Sequence, residues 1–174
     1  MSDLETIALE ALRVRITGVL PSQVLTCLEA LTDEQIWWRP NEAANSVGNL
    51  VLHLTGSLNH YLNRAIGGFA YDRDRAAEFA ERRAIPKAEL RAKFEDMVRK
   101  AEQTLANLSP ARLLDPSPEP LHNTIFEDIL GVATHLSTHT GQIVWITKML
   151  REGVTQEIWM KTHRDHGAWN QKRT

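Results

Sequence analysis

Four stretches of the 174-residue chain place apolar side chains at steps of three and four residues, the spacing of an amphipathic helix. The first stretch covers residues 4–28 and is interrupted by Pro21. We expect a kink or short break there, or a second helix that starts near it, because proline lacks the backbone N–H of a helix interior. No segment shows a convincing alternation of apolar and polar residues. The pattern predicts an all-α protein with the architecture of a four-helix bundle.

The second and third helices have recognisable ends. Ser46 is a candidate N-cap for the second helix, and Gly67–Gly68 is expected to stop it. Residues 69–84 are rich in charge of both signs and read as a loop. Pro86 suits the first position of the third helix, whose outer face is highly charged.

The fourth helix is predicted from about Thr124 to Leu150, after a proline-rich connection over residues 109–120. We assign residues 1–153 to the bundle. The remaining residues, 154–174, have no clear period, and we expect a C-terminal tail that packs on the bundle or extends from it.

Composition and charge narrow the function classes. A hydrophobic content of 43% with 24% charged residues is typical of one globular domain of this length. The single cysteine, Cys27, allows no disulfide framework and reads as a core residue, and the first residues lack a signal-peptide pattern, so we expect a cytoplasmic protein. A net charge of −2 without a basic excess argues against a nucleic-acid partner. No apolar run is long enough to predict a membrane span.

The fourth helix carries the candidate chemistry. Its predicted buried stripe consists of Ile125, Ile129, Val132, Leu136, Ile143, Ile146 and Leu150. His139 occupies the stripe position between Leu136 and Ile143, and His135 lies one turn earlier on the same flank. Two histidines at this spacing can bind one metal ion from one face of a helix, although the spacing also arises by chance.

A third histidine strengthens the prediction of a metal site. His53 lies beside Leu50 and Leu54 at the edge of the second helix's buried stripe, where it could face His135 and His139. Three protein ligands leave coordination positions open for water or substrate, as in catalytic zinc sites. The alternative is that each histidine is a core-edge residue hydrogen-bonded to a carbonyl or carboxylate, but burying three of them without a shared purpose is costly.

Three further residues are candidates for a catalytic group, and the sequence does not name a general base among them. Asp128 and Gln142 each lie seven residues from His135 on its flank, where they could orient a ligand, touch a substrate or only form a helix-surface hydrogen bond. His60 lies seven residues after His53, about 10.5 Å along the helix, too far to share its ion. We read His60 as pocket lining or surface.

The other histidines receive structural interpretations. His122 directly precedes the fourth helix and is expected to help its start. His163 and His166 lie in the unpatterned tail, where solvated surface is the expected environment.

Two strings of the sequence resemble a known family. LTDEQIWWRPNEAANSVGNLVLHLTGSLNHYL and ILGVATHLSTHTGQIVWITKML resemble the DinB-like superfamily, and are most similar to its DUF1572-type members, over roughly residues 25–152. The resemblance implies a four-helix bundle with an atypical crossing connection and a divalent metal, often nickel or zinc, on three histidines. His53 matches the ligand of the second helix, and His135 and His139 match the later pair. It also implies a homodimer.

The resemblance further implies an enzyme that transfers a low-molecular-weight thiol, such as bacillithiol or mycothiol, to a small-molecule substrate. A metal-dependent hydrolase would use the same ion with water, and the fold does not choose between the two. The other readings are a non-catalytic, metal-stabilised binding protein and a helical interaction module without metal. The sequence departs from the family pattern at His60, where glutamine or arginine is expected, and in the tail string HRDH. The resemblance therefore does not predict which substrate this protein uses.

Overall fold

The computed structural model describes residues 4–119, 122–154 and 156–158, and most of this part is helical. The α-helices are α1 (Leu4–Val14), α2 (Leu20–Ala30), α3 (Asp33–Trp37), α4 (Val47–Leu58), α5 (Arg75–Ala80), α6 (Lys87–Ala106) and α7 (Ile125–Leu150). Within the described residues the β-pairing is limited to one isolated bridge, between Pro116 and Thr124. The prediction of an all-α fold is therefore confirmed.

The bundle consists of four long helical rods, residues 4–30, 47–64, 87–106 and 125–150, and the first two of them contain a π-helical turn. Arg15–Val19 joins α1 to α2 without a loop, and Asn59–Arg64 continues α4. Pro21 lies in the first turn of α2, directly after the π-helical turn, and proline is tolerated at such a position. The break expected near Pro21 is thus a local change in helical winding that lets the rod run on from residue 4 to residue 30.

The predicted helix ends agree closely with the structure. The side chains of Ser46 and Thr124 each accept the backbone N–H three residues later and complete a capping box, at α4 and α7 respectively. Gly68 adopts a left-handed φ of 73° just after the rod of α4 ends. Pro86 was predicted as the first residue of α6 and instead occupies the N-cap position, so the helix begins one residue later than predicted.

The four rods bury their apolar stripes in one core. Among its fully buried members are Ile16, Val24, Leu54, Leu58, Leu62, Leu90, Phe94, Met97, Ile129, Leu136 and Ile143. Each such side chain stabilises the fold by roughly 1.5–3 kcal/mol relative to an exposed one. Helix α7 packs against both α2 and α4, and α4 also packs against α6. This arrangement makes α4 and α7 neighbours, which is what the histidine cluster requires.

The tail is described only at its start. Val154 and Ile158 are buried in the same core. His163 and His166 lie outside the described residues. None of the helices in the described part of the chain combines the length and the apolar character that crossing a membrane requires.

The reading of residues 69–84 as a loop is wrong in one respect that matters for the site. These residues contain α5, which Asp74 caps by accepting the N–H of Ala77 and which packs against α4. A helix of six residues is too short to display a recognisable apolar stripe, so periodicity cannot find it. The proline-rich connection likewise contains a short 3₁₀ turn, Pro110–Leu114.

Candidate metal centre

Three histidine rings meet where α4 and α7 pack together. His53 comes from α4, and His135 and His139 come from successive turns of α7. The Nε2 atoms of His53 and His135 are 3.0 Å apart, and one nitrogen from each of the three rings lies within 4.8 Å of the other two. His53 is buried and the other two rings are half-buried. The structure thus brings together the three residues that the sequence nominated as ligands.

A buried carboxylate fixes the orientation of His53. Its Nδ1 lies 2.8 Å from Oε2 of Glu78, which is in α5. Because a carboxylate can only accept, Nδ1 carries the proton and the lone pair of Nε2 faces the cluster. Arg73 donates to both carboxylate oxygens of Glu78: its Nε lies 2.7 Å from Oε1, and its Nη2 lies 2.9 Å from Oε2. Carboxylate–histidine pairs of this kind orient metal ligands in many proteins.

The sequence of α4 makes room for this ion pair and holds it in place. A Cβ atom at Gly56 would lie 1.9 Å from Oε1 of Glu78, so only glycine fits at that position without displacing the carboxylate. The buried side chain of Asn49 donates from Nδ2 to the backbone carbonyls of Glu78 and Glu81, at 3.1 and 3.2 Å. These carbonyls lie at the C-terminal end of α5, so Asn49 ties that helix to α4.

The two histidines of α7 have different environments. Nδ1 of His139 lies 2.6 Å from Oε1 of Gln142, which can only accept, so the Nε2 of His139 also carries a free lone pair. Nδ1 of His135 is buried and has no hydrogen-bond partner among the described residues. Two of the three rings are therefore held in the tautomer that presents Nε2 as a ligand.

The electrostatics favour neutral imidazoles beside an ionised carboxylate. Burial, together with the neighbouring His139 and His53, lowers the pKa of His135 to about 4. Burial also lowers the pKa of His139. Although burial alone would raise the pKa of Glu78, the hydrogen bonds from His53 and Arg73 outweigh it and the pKa is lowered. At neutral pH, protons therefore compete weakly for the nitrogens of His135 and His139.

These residues fit a divalent metal ion. Two imidazole nitrogens 3.0 Å apart share either a proton or an ion. Nitrogen ligands about 2.0–2.1 Å from a tetrahedral zinc would be roughly 3.3 Å apart, a few tenths of an ångström from what is observed. The cluster contains no fourth histidine, cysteine, aspartate or glutamate from the described part of the chain. A metal held here would keep open coordination positions, the arrangement of catalytic sites.

A pocket of about 320 Å³ opens beside His53 and His135. Its other wall residues are Ser57, Tyr61, Arg73, Arg75, His122, Asp128, Gly131 and Val132. Asp128 is only 3% exposed, and its Oδ1 accepts a hydrogen bond of 2.8 Å from Nδ1 of His122. A Cβ atom at Gly131 would lie 3.1 Å from Cε1 of His122, so the glycine leaves space for that ring. The histidine cluster is thus accessible to a small molecule.

The other residues that the sequence analysis singled out lie at different places around the histidine cluster. Asp128 lines the pocket, and Gln142 contacts His139. His60 is not among the pocket-lining residues, and its Nε2 lies 3.3 Å from Nη2 of Arg64. His122 was expected to help the start of α7, but the capping box of Thr124 does so, and His122 pairs with Asp128 instead.

Sequence reasoning missed the residues that support the cluster. Glu78 and Arg73 lie in a segment whose charges balance one another, so nothing in the sequence distinguishes them from solvated surface residues. Asn49 is not singled out in the sequence analysis. Gly56 did give a signal, since an isolated glycine inside a helical pattern often marks a close approach of another group.

Comparison with known proteins identifies the family. A family model described as the DinB superfamily matches residues 19–143 of the chain, a range that contains all three histidines of the cluster. No curated protein matches the chain. Because the family model covers most of the sequence and the structure has the all-helical fold expected of it, the chain belongs to the DinB superfamily.

Proposed function

We propose that this protein is a metal-dependent enzyme in which His53, His135 and His139 hold one divalent ion, zinc or nickel. The reaction proposed is the transfer of a low-molecular-weight thiol to a small electrophile, and the proposed place within the superfamily is among the DUF1572-type members. The observation that carries the proposal is the convergence of three imidazoles, two of which, those of His53 and His135, line a pocket. Membership of the DinB superfamily supports it.

The surrounding residues would prepare the site for this chemistry. When bound, a divalent ion supplies Lewis acidity that lowers the pKa of a nearby thiol or water. Glu78 holds the His53 ring in the ligating tautomer, and Gln142 does the same for His139. Arg73 neutralises Glu78, so that the buried carboxylate orients His53 without leaving an unpaired charge under the cluster.

The pocket and the number of ligand residues support a catalytic metal site over a purely structural one. A purely structural ion is usually enclosed by four protein ligands, whereas three ligand residues are found here among the described residues, beside an open pocket. In a bundle without metal, His53 and His135 would share a proton across the 3.0 Å between their Nε2 atoms. A hydrolase would use the same residues with water as nucleophile, and a direct assay for thiol binding separates the two enzymes.

Cobalt-substituted protein provides that assay. Addition of a small thiol such as 2-mercaptoethanol is expected to produce a sulfur-to-cobalt charge-transfer band, because the thiolate occupies an open coordination position. The matched control is His139→Ala, which should bind cobalt weakly and show no band. If the fully loaded wild-type protein shows no spectral change at millimolar thiol, the thiol-transfer proposal is refuted and the hydrolase is favoured.

The proposal includes a homodimer as the assembly. It is supported by exposed apolar side chains on α7, where Trp145 is 62% and Met149 46% exposed, one turn apart. Light scattering coupled to size-exclusion chromatography should give twice the chain mass of 19.7 kDa. A single-chain mass at micromolar concentration would refute the dimer.

A further inference from the structure

The pocket beside the histidine cluster contains an arginine, Arg75, that has no ion-pair partner among the described residues. Arg73 is engaged by Glu78 through two hydrogen bonds. Arg75, by contrast, forms no ion pair with any described residue, and its guanidinium lies over the ring of Phe79, 5.2 Å from the ring centroid. Stacking on an aromatic face holds the guanidinium in place while leaving its N–H groups available. The pocket wall thus offers a positioned cation to an anionic group.

The same pocket contains a carboxylate oxygen without a donor. Asp128 is 3% exposed, and its Oδ1 is used by His122. Its Oδ2 is buried and has no hydrogen-bond partner among the described residues. A buried acceptor that lacks a donor is destabilising, so Oδ2 requires a ligand, an ion or a water as its partner. Because Oδ2 belongs to a carboxylate, an ammonium group is the donor that would satisfy it best.

The size and lining of the pocket limit what can bridge these two groups. A volume of about 320 Å³ lies at the small end of ligand sites. Tyr61, Gly131 and Val132 supply apolar surface, and the second arginine of the wall, Arg73, is already paired with Glu78. The pocket therefore suits a small molecule with a short carbon frame and opposite charges at two positions.

We infer that this pocket recognises a small zwitterion of the amino-acid type, whose carboxylate binds Arg75 and whose ammonium binds Oδ2 of Asp128. A side chain of that ligand would face His53 and His135, which lie in the same wall. This third contact rests on the proposed function, whereas the first two depend only on the pocket.

Four small thiols separate the two contacts. Cysteine has both charged groups, 3-mercaptopropionate has only the carboxylate, cysteamine has only the ammonium, and 2-mercaptoethanol has neither. Their dissociation constants would be measured on cobalt-loaded protein by the charge-transfer band, with cobalt content checked after each titration. Each charged group is expected to tighten binding about tenfold, the effect of one charge-assisted hydrogen bond. Cysteine should bind tightest and 2-mercaptoethanol weakest.

Substitutions should remove one preference at a time. In Arg75→Gln the cysteine-to-cysteamine ratio should fall to about one, and Arg75→Lys should keep part of it. In Asp128→Asn the cysteine-to-3-mercaptopropionate ratio should fall in the same way. Arg91→Gln is the matched control, because Arg91 lies on the exposed face of α6, paired with Glu95, and should leave every ratio unchanged. Arg75 is exposed, so its variants test the inference even if Asp128→Asn does not fold.

The outcomes separate this inference from the proposed function. If the thiols bind with equal affinity, or if the ratios survive both substitutions, the zwitterion site is refuted while thiol binding stands. If no thiol changes the cobalt spectrum, the matched thiol-free ligands serine, propionate and ethanolamine are titrated by ligand-observed NMR. Preferential binding of serine, lost in the Arg75→Gln variant, would support the zwitterion site without the thiol reaction. Equal or absent binding of all three would refute the site as well.

Discussion

Replacing Glu78 by glutamine is expected to weaken metal binding by about 10- to 100-fold, the usual effect of removing the partner that orients a histidine ligand. Glutamine keeps the shape of the side chain, and its carbonyl can still accept from Nδ1 of His53. It loses the negative charge that makes Nε2 of His53 a better donor to a cation. The expected loss corresponds to about 1.4–2.8 kcal/mol of binding free energy.

The same substitution should also destabilise the metal-free fold. The side chain of Arg73 is only 8% exposed, and it would lose its anionic partner. Breaking a buried ion pair from one side costs up to about 3–5 kcal/mol. That is a large part of the roughly 5–15 kcal/mol by which a domain is stable, so a fall in affinity alone could reflect partial unfolding.

The double variant Glu78→Gln/Arg73→Met separates the two effects. Removing both charges should restore much of the free energy of unfolding, measured by urea titration of the metal-free protein. It should not restore zinc affinity, measured by competition with a chromophoric chelator. Glu95→Gln is the matched control, since Glu95 forms an exposed ion pair with Arg91 and is not part of the histidine cluster. A zinc affinity within twofold of wild type in a folded Glu78→Gln protein would refute the orienting role of this carboxylate.

Three further perturbations test other parts of the site. Gly56→Ala should displace Glu78, because the new methyl group would overlap Oε1, and zinc affinity should fall at least as far as in Glu78→Gln; an unchanged affinity in the chelator competition would contradict this. Gln142→Ala should weaken zinc binding about tenfold by releasing Nδ1 of His139, whereas an unaltered dissociation constant would show that this hydrogen bond is dispensable. The metal-free protein should lose up to about 3 kcal/mol of unfolding free energy as the pH falls from 6.5 to 4. In this range the unfolded chain protonates His135 at the ordinary pKa of a histidine, whereas the folded chain, in which the pKa of His135 is about 4, does not. His135→Ala should flatten this acid dependence, and a variant with the wild-type slope would contradict the assignment.

The bundle and the histidine ligands could be predicted because both follow local patterns. Apolar steps of three and four residues specify which face of each rod is buried, and capping residues such as Ser46 and Thr124 specify where helices start. His139 stood out because it replaces an apolar residue in an otherwise regular stripe. The remaining step, that α4 and α7 are neighbours, depended on the resemblance to a known family, since periodicity does not specify which helices pack together.

The support of the cluster could not be predicted because it depends on contacts between distant segments. Glu78 is oriented by Arg73 and accommodated by Gly56, and its helix α5 is too short to show a period. The pairing of His122 with Asp128 is likewise a matter of how the chain enters α7 rather than of any helical spacing. Such tertiary contacts decide which charged residues are buried. The composition of a segment gives only its total charge and does not distinguish the buried charged residues from the exposed ones.

The central claim is that His53, His135 and His139 hold one divalent ion, and metal content tests it most directly. Untagged wild-type protein and the His139→Ala variant would be purified in parallel and analysed for zinc and nickel, then titrated with both metals after chelation. We predict about one equivalent of metal in the wild type and its loss in the variant. Wild-type protein that is isolated without metal, and takes up neither ion on titration, would contradict the claim and leave a helical bundle without a metal centre.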